Sequence, residues 1–361
     1  MQSVTNTAVI AAAGSGKTDL IITRALSDPS RQVLITTYTI ENAREIRSRL
    51  CQAAGLVPPN VEVLTWFEFL LRHGVKPYQS HVTEMGRARS INFVTVIPEF
   101  SRRADIDRYY FDSVSNVYSD AVADLVCVIN DRSGGLVIGR LQRIYDDIFI
   151  DEMQDLAGYD LVFAELLLNS TLRIVMVGDP RQAIYSTNRS NKYSQYRGAG
   201  IVDWIQIQAK IGRCNLETLD SSHRCNQSIC NLADGLYPEY SRTVSLNERA
   251  IDHSGIFLVM ERDVIAYVLQ YEPQALRWDK RNKALGLSVL NFGQSKGLSF
   301  DRVLIFPTNP ISKYVESGTP LEPGSRSKLY VGITRARHSV AFVIKSPARN
   351  FHLATVWKPA A

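Results

Sequence analysis

At 361 residues the chain has room for about two domains of ordinary size, and its 45% hydrophobic content can fill sizeable cores. A net charge of +5, with a pI near 8.9, is mildly basic and permits a nucleic-acid partner without requiring one. Five cysteines without Cys-x-x-Cys spacing point to packing in a reducing, cytoplasmic setting rather than to metal, no signal peptide is expected, and no apolar run approaches the ~20 residues of a membrane span.

In chain order, apolar β-branched runs alternate with helix-period segments, the pattern of a parallel α/β sheet. Strands are predicted at 4–12, 32–37, 61–65, 147–151 and 172–177, with helices at 40–53, 66–72, 159–168 and 201–211. A second series follows: strand 215–219, helix 226–236, strand 255–259, helix 262–271, strands 287–290 and 302–306, helix 325–336 and strand 339–345. Between about 73 and 140 the pattern weakens into polar and aromatic residues, read as a small, mostly helical insertion. The expected division is 1–213, carrying that insertion, and 214–361.

The first strand runs straight into Ala12-Ala13-Gly14-Ser15-Gly16-Lys17-Thr18, and a helix begins at Lys17. Backbone N–H groups of such a turn, backed by a helix N-terminus, surround phosphate oxygens. Ala13, Gly14, Ser15 and Gly16 would form the cradle, Lys17 would reach the β/γ-phosphates, and the Thr18 hydroxyl would ligate Mg²⁺. The strand 147–151 ends in Asp151-Glu152-Met153-Gln154-Asp155. There Asp151 can hold the Mg²⁺ shell and Glu152 can act as general base on water, which makes ATP hydrolysis the leading chemistry. The next strand ends in Gly178-Asp179-Pro180-Arg181-Gln182, placing Gln182 to sense the γ-phosphate side and Tyr185, three residues on, to face a second ligand.

Together these segments resemble superfamily 1 helicases of the UvrD/Rep-like branch, and the resemblance continues to residue 337. Ile35-Thr36-Thr37-Tyr38-Thr39 and Leu64-Thr65-Trp66-Phe67 are similar to the DNA-contacting motifs. Ser222-His223-Arg224 resembles the motif whose Arg meets the γ-phosphate, and Lys296-Gly297-Leu298-Ser299-Phe300 resembles Lys-Gly-Leu-Glu-Phe. Tyr330-Val331-Gly332-Ile333-Thr334-Arg335 is similar to the motif that supplies an arginine finger, and Tyr196-Arg197-Gly198-Ala199 to the aromatic-Arg-Gly-Ala segment. The resemblance implies two RecA-like parallel-sheet domains forming an ATP cleft. Arg224 and Arg335 would complete the site, with His223, Gly297 and Ser299 on the nucleotide. Tyr38, Trp66 or Phe67, Tyr185 and Tyr196 would stack on bases, while Thr37, Thr39, Thr65 and Arg197 would meet the strand.

The departures fall mainly on the base and ribose side. Ala11 replaces the first Gly of the loop, Asp19 stands where Arg is frequent, His223 replaces Tyr, Ser299 replaces Glu, and no adenine-reading Gln stands at the usual distance, Gln2 being too close to Lys17. About seventy residues between Arg224 and Lys296 leave no room for a large accessory insertion. The loop 186–195, with Asn188, Arg189, Asn191 and Lys192, either touches DNA or is simply solvated. The implied function is an ATP-dependent 3′→5′ helicase or translocase on single-stranded or tailed duplex DNA. The alternative is a DNA-sensing ATPase subunit that switches a nuclease or a repair or defence protein without unwinding by itself.

Overall fold

The computed structural model describes residues 5–249, 251–345 and 354–359. Gln2 and the start of the first predicted strand lie outside them. The chain divides into two compact units, Met1–Ile10 with Lys17–Thr218, and Ala11–Gly16 with Leu219–Ala361.

In chain order the first unit holds β1 (Thr7–Ala11), α1 (Lys17–Leu26), β2 (Val33–Thr37), α2 (Ile40–Ala54), β3 (Val61–Thr65), α3 (Trp66–Phe69), the short β4 (Ile91–Asn92), α4 (Ile106–Tyr110) and the short β5 (Val117–Tyr118). There follow α5 (Val122–Arg132), α6 (Leu136–Ile144), β6 (Asp147–Asp151), α7 (Tyr159–Leu168), β7 (Arg173–Gly178), α8 (Ile201–Lys210) and β8 (Asn215–Leu219). Six strands form one sheet in the order β3-β2-β6-β7-β1-β8, and β3, β2, β6, β7 and β1 pair in parallel. β2 and β6 are buried along their whole length, as expected of central strands covered on both faces.

Two buried polar groups fix the amino-terminal side of this sheet. Asp147 opens β6 and takes Arg31 Nε at 2.7 Å and Arg173 Nε at 2.8 Å, which ties three neighbouring segments together. Asn6 donates to Leu168 O (3.0 Å) and Arg213 O (2.9 Å) and accepts from Ile174 N (2.9 Å). Between residues 73 and 140 the regular structure is helical apart from the β4–β5 pair. Asp124 on α5 anchors it, accepting from Arg103 Nε at 2.8 Å and from the Tyr110 hydroxyl at 2.9 Å.

The second unit contains the paired β9 (Ser221–Ser222) and β10 (Val244–Ser245), with α9 (Gln227–Leu236) between them. It continues with β11 (Gly255–Met260), α10 (Val264–Tyr271), β12 (Gln274–Arg277), β13 (Val289–Asn291), β14 (Phe300–Phe306), α11 (Asn309–Ser317), α12 (Pro323–Ile333), β15 (Ala336–Ile344) and β16 (Thr355–Val356). Its all-parallel sheet runs β13-β12-β14-β15-β11-β16. Cys225 and Cys230 pack in this unit's core.

The α/β class with two parallel sheets is therefore as expected, with local differences. The strand 215–219, predicted to open the second series, is instead the edge of the first sheet beside β1. The helix predicted at 66–72 is four residues of α-helix followed by a wider turn of π-helix over Leu70–Val75. β12 and α11 were not anticipated. Among the described residues no helix is long and apolar enough to cross a membrane.

Candidate nucleotide and nucleic-acid site

The turn after β1 takes positive φ at Gly14 (+77°) and Gly16 (+83°), which a residue with a Cβ rarely adopts. Within the second unit this turn lies against the segment after β8. The Ser222 hydroxyl donates to Ala13 O at 2.8 Å, and His223 N donates to Gly14 O at 2.9 Å. A Cβ on Gly14 would sit 2.6 Å from Arg224 Cβ, so glycine is required here for space as well as for φ. Ser15 Oγ is buried and has no hydrogen-bond partner. Such an orphan is costly unless a ligand satisfies it, and a phosphate oxygen is the complement that this turn of N–H groups favours.

Lys17 and Thr18 open α1, a ten-residue helix whose amino end carries the positive end of its dipole. In the same unit the carboxyl end of β6 presents Asp151, buried, with Thr37 Oγ1 donating to its Oδ2 at 3.2 Å. Burial first, and then the charge of Glu152, push the Asp151 carboxyl up, while Lys17 pulls it back toward the ionised form. Glu152 sits in the left-handed region at φ 56°, a strained position for a non-glycine residue and one that accumulates at functional sites. Thr18 and Asp151 offer the hard oxygen donors that Mg²⁺ prefers.

Gln154 was overlooked in the sequence. It donates to Glu152 Oε2 and accepts from Asp179 N at 3.0 Å, so one side chain couples the ends of β6 and β7. Gly178 makes room for it, since a Cβ there would lie 2.2 Å from Gln154 Oε1. Gln182 is buried, its amide donating to Asp179 Oδ2 at 2.8 Å, while Arg181 Nε takes Oδ1 at 2.8 Å.

In the second unit Arg224 Nη1 donates to Thr334 O at 3.1 Å. Arg335 is only 2% exposed. Its Nε donates to Val331 O at 3.0 Å and its Nη1 to Leu298 O at 3.3 Å, while Phe300 N donates to Arg335 O at 2.8 Å. The 296–300 turn, with Gly297 at φ 89°, is thus brought to the arginine motif, and Arg335 is held by carbonyls of its own unit. His223 is exposed and Ser299 half-buried.

The aromatic candidates separate. Tyr185, Tyr38 and Phe67 form a run, with ring centroids 5.8 and 6.1 Å apart, and Phe93 from the insertion extends it edge-on to Phe67 at 4.9 Å; Phe67, expected to stack on a base, is instead buried in the core beneath Tyr38 and Phe93. Trp66 is a correction. It is 2% exposed, lies among Phe69 and Phe163, and donates its indole N–H to Asp160 Oδ1 at 2.6 Å, so its ring is closed to a base. Thr37 is a second correction, being buried with its hydroxyl on Asp151 rather than turned to a strand. Thr39 and Thr65 are N-caps of α2 and α3. Tyr196 packs on Tyr193 at 5.5 Å, and Arg197 donates to Ser190 O.

Asp160 is a further residue the sequence reading missed. It is buried on α7, takes Trp66 on one oxygen and Thr187 Oγ1 on the other at 2.6 Å, and burial raises its carboxyl to about 6. Thr187 N in turn donates to Asp155 O at 2.9 Å. The segment after the acidic motif, the start of α3 and the loop after Tyr185 therefore share one pin. A charged residue inside the apolar helix Tyr-Asp-Leu-Val-Phe-Ala-Glu-Leu-Leu-Leu was the available signal.

The family model for the UvrD/REP helicase N-terminal domain matches residues 2–96 and 108–194, about half of the chain. The "ATP-dependent DNA helicase PcrA" of Leuconostoc citreum is 20% identical over 284 residues, which is 63% of this chain and 36% of that protein. Crystal structures of arterivirus nonstructural protein 10 (helicase), and of its complex with DNA, align at TM-score 0.49 with 15% and 16% identity. They cover 94% and 96% of this chain and 59% and 62% of theirs, so the chain spans about a third of the PcrA protein's length and about three fifths of the arterivirus proteins'. With half of its length matched by the family model, the chain belongs to the UvrD/REP helicase family.

Proposed function

We propose that this chain hydrolyses ATP to move along single-stranded DNA in the 3′→5′ direction, and that it separates tailed duplexes. One observation carries the reading. Thr37 hydrogen-bonds the carboxylate that would hold the metal, and the next residue, Tyr38, stands in the middle of the aromatic run. A change at the phosphate end of β2 and β6 therefore reaches the base-stacking side through one peptide bond.

In this account Ala13–Gly16 and Ser15 Oγ receive phosphate oxygens, and Lys17 places its ammonium on the transferred group. Thr18 and Asp151 would hold Mg²⁺, which when bound neutralises charge on the phosphates. Glu152 orients the attacking water and takes its proton, and the Gln154 amide keeps the Glu152 carboxylate in place. Arg224 and Arg335 are the proposed neutralising arginines; Arg335 serves only by exchanging its carbonyl partners for phosphate oxygen. Tyr38 and Tyr185 stack on bases without regard to sequence, each worth ~1–3 kcal/mol.

Unwinding of 3′-tailed against 5′-tailed duplexes tests the reading. Strand separation on 3′ tails, abolished by Lys17→Ala, is expected; activity on 5′ tails alone would refute the polarity. A second reading, an ATPase that switches a nuclease or a repair or defence protein, draws on one observation. Val94 and Phe100 of the insertion are 92% and 88% exposed, apolar surface of the kind that partners cover. DNA-stimulated hydrolysis without strand separation, together with a co-purifying protein, would favour it.

A further inference from the structure

The loop after Tyr185 is neither solvated chain nor open surface at its start. Thr187 and Asn188 are 4% and 1% exposed, although Ser186 and Arg189 on either side of them are exposed. Polar side chains buried this deeply keep hydrogen-bond partners, and both residues find theirs on other segments of the first unit.

Thr187 is committed to the stretch that follows the acidic motif. Its N–H donates to Asp155 O at 2.9 Å, its hydroxyl donates to Asp160 Oδ2 at 2.6 Å, and the same oxygen accepts from Ala157 N at 3.0 Å. Asp155 ends the short turn that begins directly after Glu152, and its own N–H donates to Glu152 O at 2.9 Å. Three bonds from one residue therefore hold the chain on the carboxyl side of that turn, while Gln154 within it holds the Glu152 carboxylate. Thr187 also lines a small cavity together with Asp151 and Glu152.

Asn188 fastens the same loop to the insertion. Its Nδ2 donates to Asp120 O at 2.9 Å, and Arg189 N donates to Asp120 Oδ1 at 3.2 Å, just ahead of α5. The loop passes close to the stretch that Thr187 holds. Gly158 has φ 59°, and a Cβ there would lie 2.8 Å from Asn188 Oδ1.

The backbone of Glu152 gives these bonds a purpose. A non-glycine residue at φ 56° persists only where its surroundings over-determine it. We propose that Thr187 and Asn188 are positioning residues for ATP hydrolysis, a strap that ties the Glu152 turn to the insertion and keeps Glu152 in its left-handed conformation. The inference rests on the reading above in which Glu152 orients the attacking water, and it adds residues that none of the motifs supplies. Loosening the strap lets the turn relax and moves the carboxylate away from the water.

The experiment measures turnover at saturating ATP and oligo-dT, KM for ATP and oligo-dT affinity, all well below each protein's unfolding transition. Thr187→Val keeps the side-chain shape and the N–H but loses the hydroxyl, Thr187→Ser keeps the hydroxyl, and Asn188→Ala releases Asp120. Asn6→Ala is the control, since it removes buried hydrogen bonds at the amino-terminal side of the same sheet. Thr187→Val should lower kcat about tenfold or more with KM and DNA affinity unchanged, as expected when a catalytic group is displaced by a fraction of an ångström. Thr187→Ser should restore most of the loss, and Asn6→Ala should melt earlier yet turn over like the wild type. Asn188→Ala should lower kcat in the same manner, and it decides the matter if Thr187→Val does not fold. Wild-type kcat in Thr187→Val, an equal loss in Asn6→Ala, or a loss confined to KM or DNA affinity overturns the proposal. Failure of the wild type itself to hydrolyse ATP would instead refute the reading on which it stands.

Discussion

Asp160 carries no motif, yet it holds three segments that the motifs define. Its two oxygens receive the Trp66 indole and the Thr187 hydroxyl, both at 2.6 Å. In Asp160→Asn one of those donors would face an amide N–H instead of an oxygen, and a buried donor left unsatisfied costs about 1–3 kcal/mol. The pH dependence is a sharper check. The Asp160 carboxyl is raised to about 6 from its ordinary value of 3.8, so its proton-linked contribution to stability is full below 3.8 and is lost as pH rises through 6. Asparagine does not titrate. Denaturant unfolding should therefore show the gap between wild type and Asp160→Asn widening by about 1 kcal/mol from pH 7 to pH 5. A gap independent of pH would contradict this assignment.

Among the elements, the seam between the π-helical turn 70–75 and α5 is packed without slack. Gly74 meets α5 there, and a Cβ on it would fall 2.4 Å from Val126 Cγ2. Gly74→Ala should destabilise the first unit by about 1–3 kcal/mol through overpacking, read as a lower midpoint in denaturant; a neutral result would mean that the seam can open. The central strands were legible in the sequence because β2 and β6 are short unbroken apolar runs ending in chemistry. β12 was not, since Gln274 and Arg277 flank only two apolar residues. For α11 the spacing of Ile311, Tyr314 and Val315 was available and went unread. β8 was legible as a strand but not as to its sheet, because pairing partners of an exposed edge leave no trace in local pattern. The phosphate turn and acidic strand end could be read because their chemistry is contiguous in sequence. Gln154, Asp160 and the burial of both Trp66 and Phe67 depend on which face each residue turns inward, and only the fold decides that.

For the molecule as a whole, the account joins a phosphate-binding turn and an acidic strand end to an aromatic run through the Thr37–Tyr38 peptide. Hydrolysis and strand binding should therefore report on each other. The direct measurement is the rate of ATP turnover with and without single-stranded DNA, on wild type and on Lys17→Ala. Wild-type turnover should rise at least about tenfold with DNA, a shift of roughly 1.4 kcal/mol in the barrier, and the variant should show none under either condition. Wild-type turnover indifferent to single-stranded DNA would contradict the account.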